Sequence, residues 1–556
     1  MLTLSHAAEY DRPSGFKPQS RSVVMAQHGM VATSHPAAAQ AGLDVLRSGG
    51  NAVEAAIAVN AMLGVVEPMS CGIGGDLFAI VWDAKSQKLY GLNASGRSPQ
   101  QLTRAMFREK NLTQIPDYGP LAWSLPGCVD GWHELLAKFG SRPLSELLAP
   151  SITAAEQGYP VSELIASGWA GSEKRLKEWL DSTRVYLPGG RAPKAGEIVR
   201  LPELAASYRL IAERGRDAFY RGPIAAEILR FSQQHGGYFS AADFADHRSD
   251  WIEPVSTDYR GYTVWELPPN GQGIAALQML NILEGYDLKS LGPKSAEYVH
   301  RFIEAKKLAF ADRAKFYADP AFSPAPVAEL ISKPYAARRR EMIQADGIVK
   351  NVPAGDPKLA HGDTVYLTVV DKDRNCCSLI QSLYHGFGSQ VVPGNVGFAL
   401  QNRGQLFALD DTHPNRLEPG KRPFHTIIPA MVTKAGKPWF CFGVMGGDMQ
   451  PQGHAQVLIN MIDFGMNVQA AGDAARLRHG GSATPTGLPE EADGGMVFLE
   501  SGYPAETVAK LKALGHQVTV GSPGSYGGYQ GILIDWERGV LHGASDPRKD
   551  GAAVGY

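Results

Sequence analysis

Small and apolar residues recur at helical spacing in the first part of the chain, and the ends of these runs carry helix signals. From Ser34 the sequence reads S-H-P-A-A-A-Q-A-G-L-D-V-L-R-S-G-G-N, which predicts a helix with a capping serine near Pro36 in its first turn and Gly49-Gly50 as its stop. Asn51 then caps a second predicted helix, from 52 to about 66. Its Ala55, Ala56, Ala58, Ala61 and Gly64 let neighbouring backbones come close, the pattern of a helix buried between layers. Helical periodicity returns over 274–283 and 296–313, while 253–267 reads as extended and closes on Pro268-Pro269-Asn270-Gly271.

The texture changes near residue 364. Between 348 and 363 runs I-V-K-N-V-P-A-G-D-P-K-L-A-H-G-D, a loop or linker with two prolines, two glycines and few apolar residues. Val365 to Val370 is then β-branched and aromatic, 371–375 supplies a polar turn, and 376–383 is apolar again, which predicts a β-hairpin. A second extended pair, 430–433 and 439–444 about Ala435-Gly436, runs through Gly446-Gly447-Asp448 into a helix near 452–464. The middle is therefore mixed α and β, and the C-terminal third is rich in sheet. No internal repeat or low-complexity tract is present.

With 556 residues the chain exceeds a usual single domain, and its 44% hydrophobic and 20% charged content describes a globular protein with a large shared core or two interlocked lobes. Its 54 basic and 56 acidic residues leave no field to steer nucleic acid or an anionic membrane, so small-molecule chemistry is favoured. Five cysteines, Cys71, Cys128, Cys376, Cys377 and Cys441, form no C-x-x-C pair and read as buried small hydrophobes in a reducing compartment. Cys376 and Cys377 are adjacent and so face opposite sides of a strand. The first 25 residues lack an apolar stretch of signal-peptide length, and no run approaches the ~18 apolar residues of a membrane span. A cytoplasmic protein is expected.

Several catalytic patterns are missing. His133-Glu134 lacks the second histidine of a zinc helix, no metal is expected, and no G-x-S-x-G elbow occurs. Cys71-Gly72-Ile73-Gly74-Gly75 lacks the register of a nucleotide loop and reads as a packing turn. What remains is H-G-D-T-V-Y-L-T-V-V-D from His361, where a linker ends in a threonine that opens a strand.

Six blocks then resemble the γ-glutamyltranspeptidase family, in family order. They are H-P-x-A-x-x-A-G with G-G-N-A-V-E-A-A from His35, Y-R-G-Y from Tyr259, N-I-L-E from Asn281, and A-F-A-D-R with a trailing A-D-P from Ala309. The last two are D-T-x-x-x-T-V-V-D from Asp363 and G-A-S-D-P-R from Gly543 with the final Gly555-Tyr556. The resemblance implies an αββα sandwich of the N-terminal-nucleophile hydrolases, an α/β fold in which large and small segments interlock. It also implies a precursor that cuts itself between Asp363 and Thr364. The products would be segments 1–363 and 364–556, which stay associated, and no cofactor is implied.

The chemistry that goes with this is compact. A threonine hydroxyl is a weak nucleophile, but an N-terminal threonine carries its own base, an α-amine of pKa ~7.7–8. In the precursor that amine is still an amide, so cleavage proceeds by hydroxyl attack on the Asp363 carbonyl, an N-to-O acyl shift and ester hydrolysis. Gly446 and Gly447 match the glycine pair whose amides hold the oxyanion. Ser382 stands where the family has a threonine hydrogen-bonded to the nucleophile, and Arg97 matches the arginine that grips the substrate carboxylate.

The ammonium side departs from the family. Counted without gaps from Thr364, the amino-binding asparagine falls on Tyr384, the glutamine or glutamate on Arg403 and the aspartate on Leu406, while the serine pair falls on His425-Thr426. A cation replaces an anion, which disfavours a γ-glutamyl ammonium and suits a small acyl donor with a carboxylate and no amine, held by Arg97 with Arg403. The stretches S-L-I-Q-S-L-Y-H-G-F-G-S from Ser378, L-Q-N-R-G from Leu400 and P-F-H-T from Pro423 look like the oxamate amidohydrolase branch. Oxamate-type amide hydrolysis, with water or an amine as acceptor, is the expectation. Glutathione-type γ-glutamyl chemistry stays open if Asp410 or Asp411 folds back as the ammonium partner, and glutaryl amides are a third option. An unprocessed binding protein, or a hydrolase using Cys128 or Cys377, are readings of other classes.

Overall fold

The structure is a computed structural model that describes residues 19–350, 352, 363–521 and 526–556. Most of the linker predicted over 348–363 lies outside them. Two seven-stranded sheets stack face to face with helices on both outer surfaces, so the architecture is the four-layer αββα sandwich. One sheet runs, in spatial order, Val24–Ala26, Val540–Ser545, Gly528–Asp535, Lys437–Met445, Ala430–Lys434, Tyr262–Glu266, Val255–Tyr259. The other runs Ala552–Gly555, Met30–Thr33, Asp363–Val370, Cys376–Tyr384, Asp76–Asp83, Lys88–Ala94, Asp250–Ile252. Each sheet contains strands from both before and after residue 363, so the two parts share both sheets.

Side-chain alternation in the central hairpin builds three apolar layers. Val365, Leu367, Val369, Cys377 and Leu379 point outward to the helices Pro36–Arg47 and Ala52–Val66. Tyr366, Val370, Cys376 and Ile380 point inward to Ile427, Met431, Cys441 and Ile532 of the facing sheet. The third layer lies under the helices Gly273–Leu283, Ala296–Phe316 and Met449–Ile462. Cys376 and Cys377 thus occupy opposite faces, as adjacency in a strand requires, and all five cysteines are buried free thiols.

Local signals explain most of these elements. Asn51 Oδ1 accepts from the amides of Val53 and Glu54 while Glu54 returns a bond to the Asn51 amide, a complete capping box. The preceding helix differs from expectation, because its cap is His35, whose Nδ1 accepts from Ala37 N at 3.2 Å. Ser34 instead donates to Glu67 Oε2 at 2.6 Å, tying the strand end to the second helix. The extended stretch before Pro268 is two strands turning at Arg260-Gly261, and the helix expected near 452 begins at Met449. No helix among the described residues is long and apolar enough to cross a membrane.

Candidate active site

Thr364 lies at the start of its strand, buried, where a bulge shifts the pairing between Asp363 and Val365. Its Oγ1 donates to Ser382 Oγ at 3.2 Å, and Ser382 Oγ also accepts from Tyr384 N at 2.8 Å. Tyr384 takes a left-handed backbone, φ 84°, which costs a non-glycine residue on the order of 1–3 kcal/mol and turns its amide back onto that hydroxyl. The glycine run before Asp76 acts from beneath. A Cβ on Gly75 would collide with the Ser382 carbonyl oxygen, and one on Gly74 with that of Ala399. The packing turn expected at 71–75 therefore seats the strand that carries Ser382.

Thr364 borders a cavity of about 800 Å³ that is also lined by Gly446, Asp448, Lys306, Arg478 and Ser482. Gly446 and Gly447 have φ of 122° and 56°, which L side chains rarely adopt, and they lead into the helix Met449–Ile462. Asp448 is gripped by Arg313 at 2.6 and 3.3 Å, and Arg313 also donates to Gln272 Oε1 at 2.6 Å. Gln272 Nε2 in turn donates to the carbonyls of Thr426 at 2.6 Å and Gly447 at 2.9 Å, so one amide side chain fixes both loops.

Thr426 leads to the buried cation. Arg403 is fully buried, donates from Nη1 to Thr426 Oγ1 at 2.8 Å and packs over the Tyr384 ring at 4.9 Å. Its Nε and Nη2, the two donors along one edge of the fork, have no partner among the described residues, and neither has the Tyr384 hydroxyl. Burial pushes the Arg403 pKa down to about 10, so it remains a cation at neutral pH. Its nearest balance is Asp76, whose carboxyl burial raises to about 6 against the opposing pull of Arg403. Asp76 is fully engaged: Oδ1 accepts from Gly96 N, Gly127 N and Gln401 Nε2, and Oδ2 faces His425 Nε2 at 2.9 Å. A carboxylate beside Nε2 puts the proton there and leaves Nδ1 as a lone pair without a described partner.

The structure thus joins Thr364, Ser382, Tyr384, Arg403, Thr426 and His425 in one connected group, with Gly446 on the cavity that Thr364 borders and Gly447 tied to Thr426 through Gln272. The Arg97 guanidinium donates to the Arg248 carbonyl at 3.1 Å and pairs with Asp250 at 3.5 Å. Among the described residues no hydrogen bond joins Arg97 to Arg403. Leu406 is buried near the group, whereas Asp411 is exposed and paired with Arg104 and Arg108, and Asp410 accepts from Thr412. Neither aspartate turns back as an ammonium partner. Asp76, Gln272 and Arg313 escaped the sequence reading. Asp76 closes the glycine run taken as packing, and Arg313 ends the A-F-A-D-R block, so the signals were present but carried no role by spacing alone.

Among the described residues, one group of potential metal ligands, His300, Glu304 and His516, comes together within 4.8 Å. His300 Nδ1 bonds directly to His516 Nε2 at 2.8 Å and Glu304 pairs with Lys307 at 3.1 Å, so these groups satisfy one another.

A family model for gamma-glutamyltranspeptidase matches residues 38–556. The chain is 42% identical over 536 residues to a glutathione hydrolase-like YwrD proenzyme of Bacillus subtilis, covering 95% of this chain and 98% of that one. It is 34% identical over 540 residues to an oxamate amidohydrolase proenzyme of Klebsiella pneumoniae, again covering 95% and 98%. A crystal structure of cephalosporin acylase from Bacillus halodurans superposes with a TM-score of 0.89 at 44% identity, covering 99% of each chain. With matches over nearly its whole length, the chain belongs to the gamma-glutamyltranspeptidase family of N-terminal-nucleophile hydrolases and is an amidohydrolase or acyltransferase of that class.

Proposed function

We propose that the chain cuts itself between Asp363 and Thr364 and that the freed Thr364 hydrolyses the amide of a small acyl donor bearing a carboxylate, oxamate being the simplest case. In the precursor the Thr364 hydroxyl attacks the Asp363 carbonyl, the peptide becomes an ester, and water releases Asp363 as a carboxylate. The new α-amine, pKa ~7.7–8, then takes the proton from its own hydroxyl as that oxygen attacks the substrate carbonyl. Gly446 and Gly447 supply amides to the oxyanion, the amine component leaves with a proton, and water resolves the acyl-threonine. Interleaved strands keep segments 1–363 and 364–556 together after the cut.

The carboxylate reading rests on one observation, the unpartnered Nε and Nη2 edge of fully buried Arg403, whose guanidinium packs over the Tyr384 ring. Such an edge matches a carboxylate in two parallel hydrogen bonds. An α-ammonium there would meet a guanidinium instead, a repulsion of ~4 kcal/mol at 4 Å and an effective dielectric near 20. The alternative, γ-glutamyl hydrolysis, is favoured by the glutathione hydrolase-like relative. The test compares oxamate and glutaryl-4-nitroanilide with γ-glutamyl-4-nitroanilide on the processed enzyme. The carboxylate reading expects the amine-free donors to win, and a γ-glutamyl rate higher by orders of magnitude overturns it.

A further inference from the structure

Gly446 and Gly447 carry the proposed oxyanion donors on the most permissive backbone available, two successive glycines at positive φ with no side chain to hold them. A donor displaced by about 1 Å loses most of its effect on a developing charge, so these peptide planes need anchors. The helix Met449–Ile462 supplies two: Met449 N donates to the Gly446 carbonyl at 3.0 Å and Gln450 N to the Gly447 carbonyl at 3.2 Å. A second bond on the Gly447 carbonyl comes from Gln272 Nε2 at 2.9 Å.

Gln272 is fully buried, and its surroundings leave its amide one orientation. Arg313 can only donate, so Gln272 Oε1 faces Arg313 Nη1 at 2.6 Å and both Nε2 protons go to carbonyls, those of Thr426 and Gly447. The loop that carries Gln272 is itself seated by buried bonds. Glu266, at the end of the strand Tyr262–Glu266, meets His454 Nδ1 of the helix Met449–Ile462 at 2.7 Å. Asn270 O accepts from His425 N at 2.9 Å, and Asn270 Nδ2 donates to the Pro423 carbonyl at 2.7 Å. Gln450 Oε1 accepts from Ile428 N at 3.0 Å. The loops 267–272, 423–428 and 446–448 therefore hold one another in a ring of hydrogen bonds, and the Gln272 side chain reaches both of the other two.

The two carbonyls that Gln272 binds belong to different halves of the site. Thr426 is on the acyl side, where its hydroxyl accepts from Arg403 Nη1 at 2.8 Å, and Gly447 is on the oxyanion side. We propose that Gln272 is a positioning residue for catalysis: it sets the Gly447 peptide relative to the Arg403 anchor, so that the oxyanion amides meet the carbonyl of an acyl group held there. Its loss weakens the transition state and leaves ground-state binding of the acyl group, since Arg403 keeps its free edge. This rests on the reading of Thr364 as nucleophile and of Gly446 and Gly447 as oxyanion donors.

The test uses Gln272→Met, which removes the bonds to Arg313, Thr426 and Gly447 at similar volume, and Gln272→Glu, which keeps the acceptor for Arg313 and removes both donors. KM, and kcat per processed chain with the processed fraction read by mass spectrometry, are measured on glutaryl-4-nitroanilide and γ-glutamyl-4-nitroanilide. Binding of a tetrahedral mimic, 4-boronobutanoate or 2-amino-4-boronobutanoate, is compared with that of the planar acid, glutarate or glutamate. On whichever anilide the wild type hydrolyses, both variants should lower kcat by about 10–100-fold and move KM by no more than about threefold. Boronate affinity should fall by a factor similar to kcat, with the planar acid almost unchanged. A merely structural role lowers the melting temperature and the processed fraction and leaves kcat per processed chain as it was. A kcat within about twofold of wild type in both variants, or boronate and planar acid weakened alike, overturns the proposal. Which anilide is hydrolysed decides the acyl-side reading separately, and a wild type that turns over neither defeats the Thr364 reading and this proposal with it.

Discussion

Ser382 Oγ receives hydrogen bonds from Thr364 Oγ1 at 3.2 Å and from Tyr384 N at 2.8 Å, so its removal frees the nucleophile to rotate. Ser382→Ala should slow self-cleavage and later turnover by about 10–100-fold, and Ser382→Thr should recover most of it. The checks are the half-time of chain cleavage on a gel and kcat on any turned-over anilide. Arg403→Gln removes the cation but keeps an amide, and should lower kcat/KM for a carboxylated acyl donor by about 100-fold, with KM carrying much of the loss. That Thr364, Ser382 and Arg403 belong to one connected group followed only from the register of the family blocks, since residue type and local spacing alone single out none of them. The bonds of Arg97 to Arg248 and Asp250 were not legible, because these partners lie about 150 residues away in sequence and meet it only through the fold.

Elements were easier to read than their ends. The helix Ala52–Val66 matched its expected bounds because Asn51 and Glu54 state its start in four residues, and Asn51→Ala should cost about 1 kcal/mol in a denaturant titration. The hairpin from Asp363 was legible from alternation, since one face needs Val365, Leu367 and Val369 and the other Tyr366 and Val370. Where the cap was ambiguous the reading slipped: Ser34 and His35 are both competent caps, and only the pull of Glu67 on Ser34 decides between them. Gly75 is the most exacting element-level position. Gly75→Ala pushes a methyl into the Ser382 carbonyl, which should destabilise by about 1–3 kcal/mol and delay cleavage more than a surface change of equal stability cost.

Across the whole molecule, the parts before and after residue 363 are bound by contacts as well as by shared sheets. His300, on the helix Ala296–Phe316, meets His516 of the C-terminal part at 2.8 Å, and burial, with His300 and then Lys307 beside it, pushes the His516 pKa down to about 3. A lowered folded pKa gives stability that is full above the unfolded value near 6.5 and is lost as pH falls toward the folded value. His516→Asn should therefore be costly at pH 7.5 and much less so at pH 4.5, measured as the gap in melting temperature from the wild type. A gap that is constant with pH contradicts this.

The resemblance implied interlocked segments, but the strand order of the two sheets was not readable from the chain, since it depends on pairings hundreds of residues apart. It does explain why a cut before Thr364 need not separate the parts. That cut is the central claim, and intact mass with N-terminal sequencing of freshly purified protein tests it most directly. The account predicts two associated chains, one ending in Asp363 and one beginning with Thr364, with Thr364→Ala remaining a single chain. A wild-type protein that stays one 59.8 kDa species through prolonged incubation would contradict it.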